Sequence, residues 1–413
     1  MALRGLGDLS REQLAVLVPE LLLCGHLIDR AGMPHLLGAF GLEGMRDVAI
    51  EEWSGASPHY TKRMQRALCY QDQGVETIFK GLQLDVGAPP QFLDFRFTVR
   101  DRSSGTFTLA HCGALMDVEP MGEEYVEAMC HDIEDPTMDA TALATNPRAR
   151  MRPVHRPPRM PADRTPHCEW IVDIDESRDP VEWPDYTLEL GTTAAATFEG
   201  VTPIDPSEKG TTDYAGAIVS DIDFTGFSHS ALVRIAEEVS LQWHLLALSF
   251  VKAVSARTTP EQTSDITRRQ FTGVAGLTAE RLSRALGLGS DLDAVTTVLS
   301  VHPVFQPRGY VGLRVTHDAE QLVVHLDRRS PAQGDGAWVS LVDAAHLEPI
   351  EAILHAVEPC WHAEVVADDE DGLSLRIVSG EPTEESSDVG LVRFSKGAAF
   401  EFEPRRSLPL TVV

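Results

Sequence analysis

The chain is poor in cysteine and poor in positive charge. Six cysteines are spread over 413 residues. That is too sparse for a disulfide framework, so in a reducing compartment they are expected to be thiols or ligands. Lysine and arginine total 35 against 63 acidic residues, for a net charge of -28. Such a surface argues against nucleic acid or anionic membrane as partners, because both need clustered cations. Long hydrophobic runs are missing too. The most apolar stretch, residues 14–28, is broken by Glu20 and His26, which makes it too short and too polar to span a bilayer. Residues 1–10 show no basic segment followed by an apolar core. No signal peptide is therefore expected, and a cytoplasmic location is. There is also no phosphate-binding glycine loop, dinucleotide fingerprint or Gly-x-Ser-x-Gly elbow, so nucleotide and serine-hydrolase chemistry have no sequence support.

What is present is a globular composition, 43% hydrophobic, long enough to bury two ordinary domains. Ser10 with Gln13 forms a capping box ahead of Leu14, Leu17, Val18, Leu21 and Leu22, which predicts a helix over 8–31 with Pro19 as a kink site. Further helices are expected at 57–68 and 75–84, and Pro89-Pro90 stops the run. Alternation then predicts a hairpin, 92–100 and 106–112, a helix near 137–144 and a closing strand at 168–174. A similar order returns after residue 226: helices at 228–257, 278–286 and 291–299, a hairpin at 312–316 and 321–326, a helix at 347–357 and a strand at 373–378. We read an internal duplication. The expected fold is α+β, two pseudo-repeated units, each a helical part followed by a small mainly antiparallel sheet with a packed helix. The units are 1–175 and 227–413, joined by an extended Asp-, Pro-, Thr- and Gly-rich connector over 176–226. Two unrelated domains of similar element order are the plainer alternative.

Half of the cysteines sit beside a histidine, as His111-Cys112, Cys130-His131 and His167-Cys168, with His155 between the last two pairs. Thiolate and imidazole are ligands of zinc and of non-haem iron. The expected metal ligands are Cys112, Cys130, His155, Cys168 and His167, for a zinc ion, with iron as the alternative. The long irregular spacing lacks Cys-x-x-Cys knuckles, so any site must be assembled by the fold. A metal-free catalytic thiol and buried packing cysteines are the competing readings. Under the proposed repeat Cys112 faces Asp327, Cys168 faces Leu373, and the segment facing Cys130, 338–342, has no Cys or His. The site would belong to the first unit alone. Glu134 and His131 are the candidate proton-moving residues, although the acids here also suit an ordinary helix N-terminus. Arg148, Arg150, Arg152, Arg156, Arg159 and Arg164 could bind a substrate carboxylate or neutralise neighbouring acids. Cys24, Cys69 and Cys360 are expected to be packing residues.

Helices, then a hairpin ending in Cys, a further Cys after a turn, and a strand opening with Cys168-x-Trp170: this order resembles the L-2-amino-thiazoline-4-carboxylate hydrolase-like family. It is also similar to 4-vinyl-reductase-type small-molecule-binding domains. The resemblance covers roughly residues 8–175. It implies Cys130, His155 and Cys168 as zinc ligands, His155 standing where Cys or Glu is usual. The function expected is metal-dependent hydrolysis of a C–N or C–S bond in a small polar substrate. An iron-dependent oxidoreductase, or a binding module with structural zinc, are the alternatives. A small-molecule substrate is the expected partner, and a homodimer is allowed.

Overall fold

A computed structural model describes residues 5–317, 321–403 and 411–412; residues 1–4 of the N-terminal stretch read above lie outside it. The first helix, α1 (Arg11–Ala67), opens on the Ser10–Gln13 capping box. It joins the helices expected at 8–31 and 57–68 into one element of two arms. The arms meet at Gly41, whose φ of 70° favours glycine. Residues 32–56, between the two expected helices, are helical as well. Five glycines and Pro34 make them weak helix formers, and packing overrides that weakness. Helix α2 (Val75–Leu82) and the hairpin β1 (Leu93–Val99) and β2 (Ser104–Cys112) follow as expected. Next come a short α3 (Gly113–Val118), a π-helical turn (Ala128–Ile133), α4 (Glu134–Leu143), β3 (Ala149–His155) and β4 (Cys168–Ile174).

The second unit repeats this. Helices α5 (His229–Ser255), α6 (Pro260–Ala285) and α7 (Leu292–Val301) precede strands β5 (Leu313–His317) and β6 (Leu322–Asp327). Helix α8 (Glu348–Val357) leads to β7 (Trp361–Asp368) and β8 (Gly372–Ser379). The two sheets have the same antiparallel order, β1-β2-β4-β3 and β5-β6-β8-β7, and a two-residue strand, Thr411–Val412, adds in parallel to the β1 edge. The fold is α+β with two like units. Strand β7 and the first five turns of α6 are absent from the sequence expectation. The former is half-exposed and the latter is polar (Glu261, Gln262, Asp265, Arg268, Arg269), so neither carries a strong apolar period. The 176–226 connector is extended but holds two short helices, Asp185–Leu190 and Ala194–Thr197.

The halves are packed about a pseudo-twofold relation that side chains record. Ser10 and Ser228 cap α1 and α5; ten residues on lie Glu20 and Glu238. Arg63 and Arg281 stand at the same constant spacing within Lys62-Arg63-Met64-Gln65-Arg66-Ala67-Leu68 and Glu280-Arg281-Leu282-Ser283-Arg284-Ala285-Leu286. Arg63 Nε donates to Glu238 Oε2 at 2.8 Å, and Arg281 Nε donates to Glu20 Oε2 at 2.7 Å. Each half thus supplies the acid for the other half's arginine, as across an isologous dimer interface. Gly25 lets α1 close on α5: a Cβ there would lie 2.7 Å from Trp243 Nε1. Among the described residues no helix is long and apolar enough to cross a membrane.

Candidate active site

The largest concentration of buried chemistry lies in the first unit, in a cavity between α1, the β1–β2–β4 sheet and α4. Cys112, Cys130, Cys168 and His167 all line it, as does Glu134. Cys112 ends β2 and caps α3, its Sγ accepting the Leu115 N–H at 3.3 Å. Cys130 is turned inward by the π-helical turn, a distortion common at functional sites. Cys168 opens β4 opposite Leu109. Residues far apart in sequence therefore meet on one wall. Burial pushes the Cys112 thiol up to about 12 and holds Cys130 and Cys168 well above the ordinary thiol range, each acid or thiol neighbour adding to the effect. All three are protonated unless a cation takes the proton's place.

His155 does not join them. It ends β3, half-buried, with Nε2 3.9 Å from Glu169, and it does not line the cavity. As an expected ligand it is corrected by the β3–β4 register, which turns it towards Glu169 across the strand pair. His131 is also outside the lining: its ring nitrogen Nε2 pairs with the Pro157 carbonyl at 2.7 Å. It ties the Pro-rich loop over the cavity, and Pro157 forms part of the wall. The arginines mostly neutralise neighbouring acids. Arg152 pairs with Asp139, Arg156 with Asp135 and Arg159 with Glu119. Cys24 is buried as expected, but Cys69 is exposed in a turn at φ 55°.

Burial pushes the Glu134 carboxyl up to about 7. Its neighbours in the cavity come from α1, and the sequence reading did not select them. His26, Asp29, Arg30, Trp53 and Tyr60 face the same space, with Asp85 from the loop after α2. Both ring nitrogens of His26, Asp29 Oδ1 and Arg30 Nε are buried without a hydrogen-bond partner among the described residues, and so are both oxygens of nearby Glu52. Unsatisfied groups in such number cost stability and mark a place where a ligand or water belongs. The volume open to the centre of a water molecule is about 90 Å³, enough for several waters or one small molecule.

The second unit lacks most of this equipment, although His26 keeps its counterpart in His244. At the same constant spacing Asp29 and Arg30 become Ala247 and Leu248, Glu52 becomes Gln270, and Trp53 becomes Phe271. The ring of Trp338 stacks on Phe271 at 5.0 Å, so an indole packs beside the counterpart of Trp53. The sheet register supports Cys168 opposite Leu373, since they pair with Leu109 and Leu326 respectively. It does not support Cys112 opposite Asp327: Cys112 caps α3, and the matching cap is Ser330, which holds the Gln333 N–H.

Among the described residues, the three thiols do not yet stand at ligand separation. The one trio of His, Cys, Asp or Glu atoms all within 4.8 Å of one another is Glu351, His355 and His362, in the second unit. No family model, curated protein or solved structure matches this chain.

Asp85 offers a direct test of the cavity's electrostatics. Its Oδ1 accepts from Tyr60 Oη at 2.8 Å and Gly87 N at 2.7 Å, yet burial still raises it to about 6. The folded value lies above the unfolded one, so the native state holds a proton that the unfolded chain releases first. This stability is full below pH 4 and is lost as pH rises through about 6, a contribution on the order of 3 kcal/mol. Urea titrations at several pH values should show that this part of the decline is missing in Asp85→Asn. An identical decline in both proteins would reject the assignment.

Proposed function

We propose that the first-unit cavity is a metal-assisted active site that hydrolyses a C–N or C–S bond of a small polar molecule. The observation that carries this reading is the convergence of Cys112, Cys130 and Cys168 with Glu134 on one cavity, in the copy of the repeat that also keeps Asp29 and Arg30. Three sulphur donors suit zinc, with ferrous iron as the alternative. His167, which lines the same cavity, could complete the set. The bound ion would supply a polarised water.

The remaining work falls to the chain. Glu134 accepts the proton of the attacking water and returns it to the leaving nitrogen or sulphur. His26, Asp29 and Arg30, the last also 3.7 Å from Asp117, hold the substrate through atoms that make no hydrogen bond within the described residues. Burial below α1 and the Pro157 wall excludes bulk water and strengthens each of these contacts. His131 positions that wall.

Plasma mass spectrometry on tag-free protein tests the site. One equivalent of zinc or iron should be present and should be missing from Cys130→Ser/Cys168→Ser, whichever other metal the protein carries. Equal metal content in the two proteins, even after anaerobic reconstitution, would remove the basis for the reading.

A further inference from the structure

The second unit carries its own constellation, unrelated to the thiol cavity. Glu351 and His355 are one turn apart on α8, and His362 is the second residue of β7. Glu351 Oε2 lies 3.0 Å from His355 Nε2 and 3.4 Å from His362 Nδ1. Bonds of about 2.1 Å to a zinc-class ion, at octahedral or tetrahedral angles, place neighbouring ligand atoms about 3.0–3.4 Å apart. We propose that Glu351, His355 and His362 form a second metal site, with three protein ligands for a divalent ion of the zinc class.

The surrounding contacts favour coordination over a simple ion pair. Glu351 Oε1 is engaged by the Ala363 N–H at 2.7 Å, leaving Oε2 for the ion. His362 Nε2 pairs with the Glu381 carbonyl at 2.8 Å. That bond puts the ring proton on Nε2 and leaves the Nδ1 lone pair facing Glu351, the arrangement that outer contacts impose on ligand histidines. Glu351 Oε2 and His355 Nε2 are both buried and 3.0 Å apart, yet they make no hydrogen bond. Their separation is right and their direction is wrong for bonding each other. A cation between them and His362 resolves that conflict.

The position is also specific to one copy. Helices α4 and α8 have the same length, so Thr137 and Thr141 stand where Glu351 and His355 do. The sheet register sets Arg150 against His362. Two threonines and an arginine cannot bind a divalent ion in that place. The site joins α8 to β7 and, through His362, to the Glu381 segment, so occupancy should brace the edge of the second sheet.

The test is a cobalt titration of the Cys130→Ser/Cys168→Ser protein, so that the first-unit thiols do not report. One equivalent should bind with visible d–d bands and no thiolate-to-cobalt charge-transfer band. His362→Ala or Glu351→Gln should weaken binding by at least about 100-fold, since even outer contacts are worth 10–100-fold. Zinc should raise the melting temperature of the parent and not of the His362→Ala variant. Cobalt binding that His362→Ala leaves unchanged, or no saturable binding below millimolar cobalt, would overturn the site. If the double cysteine variant fails to fold, the same titration on the wild-type chain decides it, because a charge-transfer band separates thiol-bound from histidine-bound cobalt. The outcome is independent of whether the first-unit cavity holds a metal.

Discussion

Arg281→Ala is expected to destabilise the protein by about 3–5 kcal/mol, the cost of stranding one member of a buried ion pair. The Arg281 side chain is fully buried. Its Nε and Nη2 donate to the two oxygens of Glu20 at 2.7 and 3.1 Å. It also donates to the carbonyls of Gly397, Ala398 and Phe400. Truncation therefore leaves a buried carboxylate and three carbonyls without their donor. Adding Glu20→Leu to Arg281→Ala should recover part of the loss, because it removes the stranded charge. Urea unfolding of the single and double variants measures both effects. A loss below about 1 kcal/mol for Arg281→Ala would mean that the pseudo-twofold contact does not hold the halves together. The pair in the mirrored position, Arg63 with Glu238, predicts a smaller loss for Arg63→Ala, because Arg234 Nε still donates to Glu238 Oε1 at 3.0 Å.

Glu134→Gln is expected to lower turnover about 10²–10⁴-fold, the usual worth of a positioned proton-transfer group. Glutamine keeps the shape and removes the base. The loss should therefore appear in kcat, with KM and metal content close to wild type. The assay would use the best substrate found in a panel of small amides, cyclic amidines and thioesters. A matching loss in Glu123→Gln, on the surface before the π-helical turn, would show that the effect is not specific to the cavity. Turnover that survives Glu134→Gln would assign the proton transfer elsewhere and leave Glu134 as a buried acid only.

Much of the cavity was open to inspection in the chain. Cysteine is rare here, and its pairing with histidine drew attention to Cys112, Cys130 and Cys168, all three of which reach the cavity. The histidines divided. Pairing in sequence does not decide which partner faces the cavity: His167 and Cys168 both line it, whereas Cys130 does and His131 does not. His167 reaches the wall, His155 meets Glu169 instead, and His131 bonds a loop carbonyl. His26, Asp29 and Arg30 were harder to find, because a long apolar helix hides three polar residues among its leucines. Comparing the two copies at one constant spacing would have exposed Asp29 and Arg30, which Ala247 and Leu248 replace, but not His26, whose counterpart is His244. Local apolar content points Cys69 inward and shortens α6, whereas Cys69 is exposed and α6 runs over Pro260–Ala285.

By itself the sequence determined the composition of the protein's elements: capped helices, alternating strands, their order and their repetition, since each follows from spacing, caps and breakers along a few residues. Only the tertiary structure decided which distant side chains share a space. The exchange of Arg63 and Arg281 between halves, the cavity that collects three thiols and Glu134, and the Glu351, His355 and His362 cluster all depend on how helices cross and how strands are registered. Those are set by packing over the whole chain, and a one-residue change of register would turn every strand side chain to the other face.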